Sequence, residues 1–348
     1  MRLFNSGVIC LAAMAISQCA ALPSPAQGTA DRVRMTRGSE SGEIIAMTPL
    51  EVTLSKGAAS TRRIPVHEIT SVLFKDEPSA LTQARINAQN GGYINALETL
   101  EKINLAEIKR DFIKQDIEFY KALSAAKLAL GGSGTLGDAG RRLNEFVRTY
   151  PQNFHRLEAV EVVGDLLVAT GNYAAAQRQY EELVKTPWPD YQVRAHILLG
   201  RAFQAQDKHA EAIKEFDTAL ALVGSDAANK SPQLTATLGK AVSLVETGKV
   251  DEGVRMVEEV IRDGDPEDQE LHARAHNTLG SCYRLAGKTQ DALLAYLYVD
   301  VLCSNVPEAH AEALHYLVPL WEETGQEARA REARQLLRDR YGGSRWAQ

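Results

Sequence analysis

Residues Val163–Leu183, VGDLLVATGNYAAAQRQYEEL, decide the fold. Gly164 stands inside a leucine-rich helical run, where glycine costs about 1 kcal/mol relative to alanine, so its presence predicts close approach of a second helix. Ala176 is the expected contact on that helix. Gly171 stops the first helix, and Tyr173, Ala176, Tyr180 and Leu183 follow at helical spacing to give the second an apolar stripe. Two short helices joined in this way leave two apolar edges uncovered. Stacking on copies of the same unit buries them, which is how solenoids arise.

The copies are present. Marking each second helix by its small residue gives Ala96, Ala139, Ala176, Ala212, Gly253, Ala292 and Ala330, with later spacings of roughly 36 to 41 residues. Leu198–Leu220, LLGRAFQAQDKHAEAIKEFDTAL, and Thr278–Val299, TLGSCYRLAGKTQDALLAYLYV, repeat side chains at fixed offsets: Leu199, Gly200, Phe203, Ala212 and Phe216, then Leu279, Gly280, Tyr283, Ala292 and Tyr296. This resembles the tetratricopeptide repeat (TPR). The fold class expected is therefore mainly α: a TPR-like α-solenoid of about seven helical hairpins over residues 79–348, preceded by a small antiparallel β module.

There are departures from the pattern. His196 and His276 stand where it prefers tryptophan, and Ala241 takes the place of the glycine in its hairpin. Polar, turn-rich linkers such as DGDPEDQE and CSNVPEA lengthen the period. Ser79 after Pro78 is the expected N-cap of the first helix, and Pro319 inside the last hairpin is expected to kink its helix. RLNEFVRTYPQN and QLLRDRYGGSRWA are similar to repeat endings of envelope assembly factors, the outer-membrane assembly lipoproteins and Tol-Pal coordinators.

Residues 31–77 change period. Val33 and Met35, then Ile44, Ala46, Leu50, Val52 and Leu54, then Ile64, Val66, Ile69, Val72 and Phe74 alternate between turns at Gly38, Gly42 and Gly57, predicting four or five short strands. So small a sheet must curl into a barrel or lie on the first helices. The string resembles small SH3- and Sm-like barrels, a resemblance that implies the fold and nothing about RNA.

Residues 1–26 read as a secretory signal and the start of a linker: Arg2, the apolar run VICLAAMAI (Val8–Ile16), and small residues at Cys19, Ala20 and Ala21. The run is too short to span a membrane. Cys19 raises lipoprotein anchoring, but Gln18 stands where such signals carry a small residue, so ordinary cleavage is the expectation. The protein is thus expected to be exported to the periplasm or cell envelope, with room for peripheral envelope association.

The net charge of -6 argues against a nucleic-acid partner. Cys282 and Cys303 fall at opposite ends of one hairpin, beyond the ~7 Å reach of a disulfide, and read as buried free thiols. Gly132, Gly134 and Gly137 spell G-x-G-x-x-G, yet they follow an alanine-leucine helix instead of a strand, so they read as a loop between hairpins. His272 and His276 share a helix face without HExxH or a cysteine cluster, and His310 and His315 point in different directions, so neither pair reads as a metal site. No nucleophile motif appears. The expectation is no enzyme, no cofactor and no metal.

The TPR resemblance implies a concave groove, lined by first helices, that holds peptides. Transferring its inward offsets places Glu158, Glu161 and Asp165 at an acidic end, and Arg194, Arg201, Gln204, Arg274, Asn277 and Arg284 as candidate peptide-binding residues. Thr235, Leu238, Val242 and Val245 form the expected floor. The expected function is an exported scaffold for a protein or peptide partner. The competing class is an accessory or carrier subunit for a small ligand or polysaccharide; few aromatics in the expected groove disfavour sugar stacking.

Overall fold

The computed structural model describes residues 30–57, 60–223 and 230–347. The signal reading of 1–26, with Cys10 and Cys19, lies outside them.

Five strands come first: β1 (Asp31–Met35), β2 (Ser39–Met47), β3 (Glu51–Ser55), β4 (Thr61–Pro65) and β5 (Ile69–Leu73). They form one antiparallel sheet in the order β4-β3-β2-β1-β5. The long β2 pairs with β1 through its first half and β3 through its second, slipping register between Ile44 and Ala46. Such a bulge bends the strand. The inward residues Val33, Ile44, Val52, Leu54, Ile64 and Val72 are consequently all buried. A 3₁₀ turn at Val66–Glu68 returns β5 to the free side of β1.

The sheet also lies on the helices. Fourteen α-helices follow among the described residues: α1 (Ser79–Gln89), α2 (Tyr93–Glu101), α3 (Asp111–Leu130), α4 (Leu136–Thr149), α5 (Arg156–Ala169), α6 (Tyr173–Val184), α7 (Pro189–Gln204), α8 (His209–Val223), α9 (Lys230–Glu246), α10 (Val250–Asp263), α11 (Gln269–Leu285), α12 (Thr289–Leu302), α13 (Pro307–Glu323) and α14 (Glu327–Tyr341). One core runs unbroken from Val33 and Phe74 through Leu81, Ile117 and Phe119 to Leu166. Asp31 at the start of β1 is buried. Its carboxylate accepts from the Ile44 and Lys75 amides, each at 2.7 Å, and from the Arg110 guanidinium at 2.6 and 2.8 Å. These bonds hold the carboxyl below the usual range although burial opposes them.

Helices pair in sequence, α1 with α2 through α13 with α14, and odd-numbered helices also touch across neighbouring pairs, as α7 with α9 and α9 with α11. The solenoid expected from the repeats is formed. Its inner layer is the first helix of each pair.

The small residues explain the pairing. A Cβ built on Gly164 would enter the Tyr180 ring, so the close contact there is the ring, with Ala176 buried one turn earlier. Gly200 faces Phe216 and Gly280 faces Tyr296 in the same way, always sixteen residues on. In α9 and α10 both members change: Ala241 stands in the glycine position and Val257 in the aromatic one, both fully buried. A methyl is tolerated where the opposing ring has shrunk. Gly253, at the position held elsewhere by alanine, then brings α10 against the Ala241 carbonyl and Val245.

Two local expectations are corrected, at Ser79 and at the glycine-rich loop. Ser79 is the first residue of α1; Pro78 occupies the N-cap with no side-chain cap, and its carbonyl accepts from the Leu81 amide at 2.9 Å. The glycine-rich loop is the turn within the α3–α4 pair, where Gly132 and Gly134 take positive φ and Thr135 caps α4 by accepting from the Asp138 amide. Helix α13 continues through Pro319 to Glu323. Cys282 and Cys303 are free and buried.

Candidate functional site

The inner faces of the first helices carry a chain of adjoining hollows. At its head a cavity of about 320 Å³ is walled by Ile69, Thr70 and Ser71 of β5, by Tyr93 and Tyr120, and by Phe154, Glu158 and Tyr191. Val66, Ile69, Lys127, Glu158 and Tyr191 also border a second hollow of about 270 Å³, reached past Glu161, Asp190 and Arg194. Those three open into a third, of about 440 Å³, floored by Val193, Ile197, Leu198 and Pro232. Arg201 and Thr235 lead into a fourth of the same size, bounded by Leu238, Val242, Arg274, Asn277 and Glu312. The groove thus runs from the β module across α3, α5, α7, α9, α11 and α13.

Of the candidate residues, Arg194, Arg201, Gln204, Arg274 and Asn277 border these hollows. Arg284 is not among the linings; it is exposed, with its guanidinium 5.1 Å from the Tyr316 ring centre. Arg194 reaches across to α5, donating to Glu161 at 3.1 Å, and lies over the Tyr191 ring. Arg274 donates to the Thr235 hydroxyl at 2.6 Å. Gln204 and Asn277 act as ties between first helices. The Gln204 amide donates to the Gly239 carbonyl and the Ser243 hydroxyl, and buried Asn277 donates to the Ala309 carbonyl at 2.8 Å and to Glu312. Val245, expected on the floor, is packed in the core with Ala241 and Cys282. Thr235, Leu238 and Val242 do line the groove.

The acidic end is partly neutralised. Burial pushes Glu161 above the usual carboxylate range, opposed by Arg194 and reinforced by Asp165 and Glu158. Burial likewise raises Asp165, while Lys127, the Tyr180 hydroxyl (donating at 2.9 Å) and Arg201 pull it down. Opposite charges therefore interleave along the groove.

Beneath its head lies a buried ionic network that the repeat pattern does not announce. Arg85 donates to both Glu77 oxygens at 3.0 and 3.1 Å and to Asp116 at 2.7 Å. His155 bonds Asp116 at 2.9 Å through Nε2 and Glu158 at 3.3 Å through Nδ1, its ring stacked on Phe119. Burial opposes charge on His155, but these two carboxylates outweigh it and raise its pKa; Asp116 is correspondingly lowered by Arg85 and His155 against its own burial. Removing one member of such a set strands a buried charge, at a cost of about 3–5 kcal/mol. The network clamps the β5–α1 junction to α3 and α5. The one legible signal was Asp116, an acid at a core position of an otherwise apolar helix face.

His272 Nε2 accompanies the Asp265 carbonyl at 3.0 Å, and His276 stacks on Tyr298 with ring centres 3.7 Å apart. Among the described residues no group of three or more His, Cys, Asp or Glu side chains could hold a metal ion, and no helix is long and apolar enough to cross a membrane.

Comparison with known proteins agrees with this architecture. A tetratricopeptide-repeat family model matches residues 164–231 and 238–307, so the chain carries these repeats from α5 to the start of α13. No curated protein matches the sequence significantly. Among solved structures, a tetratricopeptide repeat protein from Parabacteroides merdae is similar at 16% identity and a TM-score of 0.55, over 76% of this chain and 92% of that one. The apo form of RapI is similar at 12% identity and 0.57, over 76% and 97%. At these identities the likeness is one of fold.

Proposed function

We propose that this tetratricopeptide-repeat chain is an exported scaffold that holds an extended segment of a protein partner in its concave groove. One observation supports the reading above others: four adjoining hollows, their linings mixing apolar side chains with interleaved charges, follow one another along the first helices. A small ligand has no use for so long a track. An extended chain does, because its side chains meet floor and rim in turn. Arg201 and Arg274 supply planar forks for carboxylates on such a segment, whereas Arg284 stands outside the linings; charge-assisted bonds contribute roughly 1.5–3 kcal/mol each where water is excluded. Arg194 would exchange its Glu161 carboxylate for a ligand group, and Arg274 its Thr235 hydroxyl. Export is supported by Arg2, the run Val8–Ile16 and the small residues after it.

Two measurements test the proposal. Arg201→Glu and Arg274→Glu should each weaken binding of a peptide selected on the purified chain by at least about tenfold, or 1.4 kcal/mol, with melting little changed. Glu259→Lys on the outer helix α10 is the control; Glu258 is less suited, since it accepts from the Tyr283 hydroxyl at 3.2 Å. Equal losses at both faces would reduce the effect to non-specific charge. Deleting residues 1–21 should strand the protein in the cytoplasm, and its continued recovery from the periplasm would defeat the export reading.

A further inference from the structure

β5 closes the sheet on one side, since the strand order leaves it paired with β1 alone. Its other edge is at the head of the groove. Successive side chains of a strand point to opposite faces, so a cavity against one face touches every second residue. The head cavity is lined by Ile69, Thr70 and Ser71 in succession, which places it against the strand's edge. A second observation agrees. The Thr70 carbonyl accepts at 3.2 Å from the side-chain amide of exposed Gln89, a donor standing where a neighbouring strand's N–H would stand.

We infer that the partner segment enters the groove by adding a short sixth strand to β5, with main-chain hydrogen bonds fixing its register before it continues along α7 and α9. The inference rests on the groove reading and names how the site takes hold. An exposed edge offers a row of unpaired amides and carbonyls to any extended chain. Here Tyr120 of α3 and Tyr191 of α7 line the same cavity of about 320 Å³ as that edge, which limits the added strand to a short segment. Thr70, the extra residue of the β1–β5 register shift, and the Gln89 amide blunt the edge when the groove is empty. Alternation then sets the chemistry of the occupant. Every second side chain of the added strand meets Tyr93, Tyr120 and Tyr191 together with Lys127 and Glu158, so the head selects side chains two apart that join an aromatic or apolar body to a polar tip.

The probe is a peptide selected on the purified full chain from a random twelve-residue library. Single N-methylation along that peptide should reduce affinity at least tenfold at alternate positions of one stretch and hardly at all between them, because only inward amides pair with β5. On saturation, those backbone amides of Ile69–Leu73 that do not pair with β1 should gain hydrogen-exchange protection. If Arg201→Glu weakens the peptide but methylation shows no period of two and β5 gains no protection, strand addition is wrong and the groove reading stands. If Arg201→Glu leaves binding intact, or no peptide is selected, both fail. Dimerisation through β5, seen by light scattering and unaffected by the peptide, would overturn the inference in favour of a second copy.

Discussion

Gly200→Ala adds one methyl to α7, and its cost can be worked from the packing. The new Cβ would lie 2.7 Å from Phe216 Cε1, 2.8 Å from Cζ and 3.0 Å from Cδ1. The nearest distance is about 0.8 Å short of the ~3.5 Å optimum for a carbon pair. Fully buried Phe216 cannot retreat, because its Cζ would be 2.5 Å from a Cβ at Gly239 on α9, which puts the ring directly on that backbone too. Overpacking of this kind costs about 1–3 kcal/mol, against about 1 kcal/mol gained from alanine's better helix propensity. Pinning on both sides selects the upper half, a net loss of about 1–2 kcal/mol. Phe216→Leu removes the far ring atoms at issue, so Gly200→Ala in that background should turn neutral or stabilising. The coupling energy from the double-mutant cycle should fall within about 1–3 kcal/mol. The natural pair Ala241 and Val257 is this double change already made. Urea midpoints of the four proteins at equal m-value measure it. A higher midpoint for Gly200→Ala in the Phe216 background would refute the clamp and the register built on it.

Gly140 lies in helix α4 with nothing within 4 Å of a built Cβ, so Gly140→Ala should stabilise by about 0.5–1 kcal/mol, opposite in sign to Gly200, by the same urea assay. Burial, with neighbouring His272 second, holds the folded His276 pKa at about 4 against about 6.5 unfolded. The native state therefore favours neutral His276: its contribution is present above pH 6.5 and is lost as pH falls towards 4. His276→Phe keeps the stack on Tyr298 and should lose less stability between pH 7 and 4.5 than the parent; an unchanged slope would show that other groups carry the acid loss.

Local patterns carried most of the architecture. The Gly200–Phe216 and Gly280–Tyr296 spacing is written within single hairpins, and alternation from Val33 to Phe74 marked the strands because side-chain period follows backbone geometry. The seat of the β module on α1, α3 and α5 was not legible. It rests on Asp31 with Arg110, and on Arg85 with Asp116 and His155, partners 31 to 79 residues apart that obey no period. The groove shows the same division. Repeat offsets found Arg194, Arg201 and Arg274 on the inner face, but no offset says that Asn277 is spent on the Ala309 carbonyl or that β5 forms a wall.

The continuous core from Val33 to Leu166 contrasts with the small separate clusters that hold the later hairpins. In a nearest-neighbour stack, bending at one interface disturbs that interface alone, whereas a shared core resists deformation as a block. The molecule is therefore a jaw with one fixed side. If the groove holds a chain as proposed, tension on it would fall on the head with its shared core, and the distal coils, each held by its own small cluster, are the part able to change curvature.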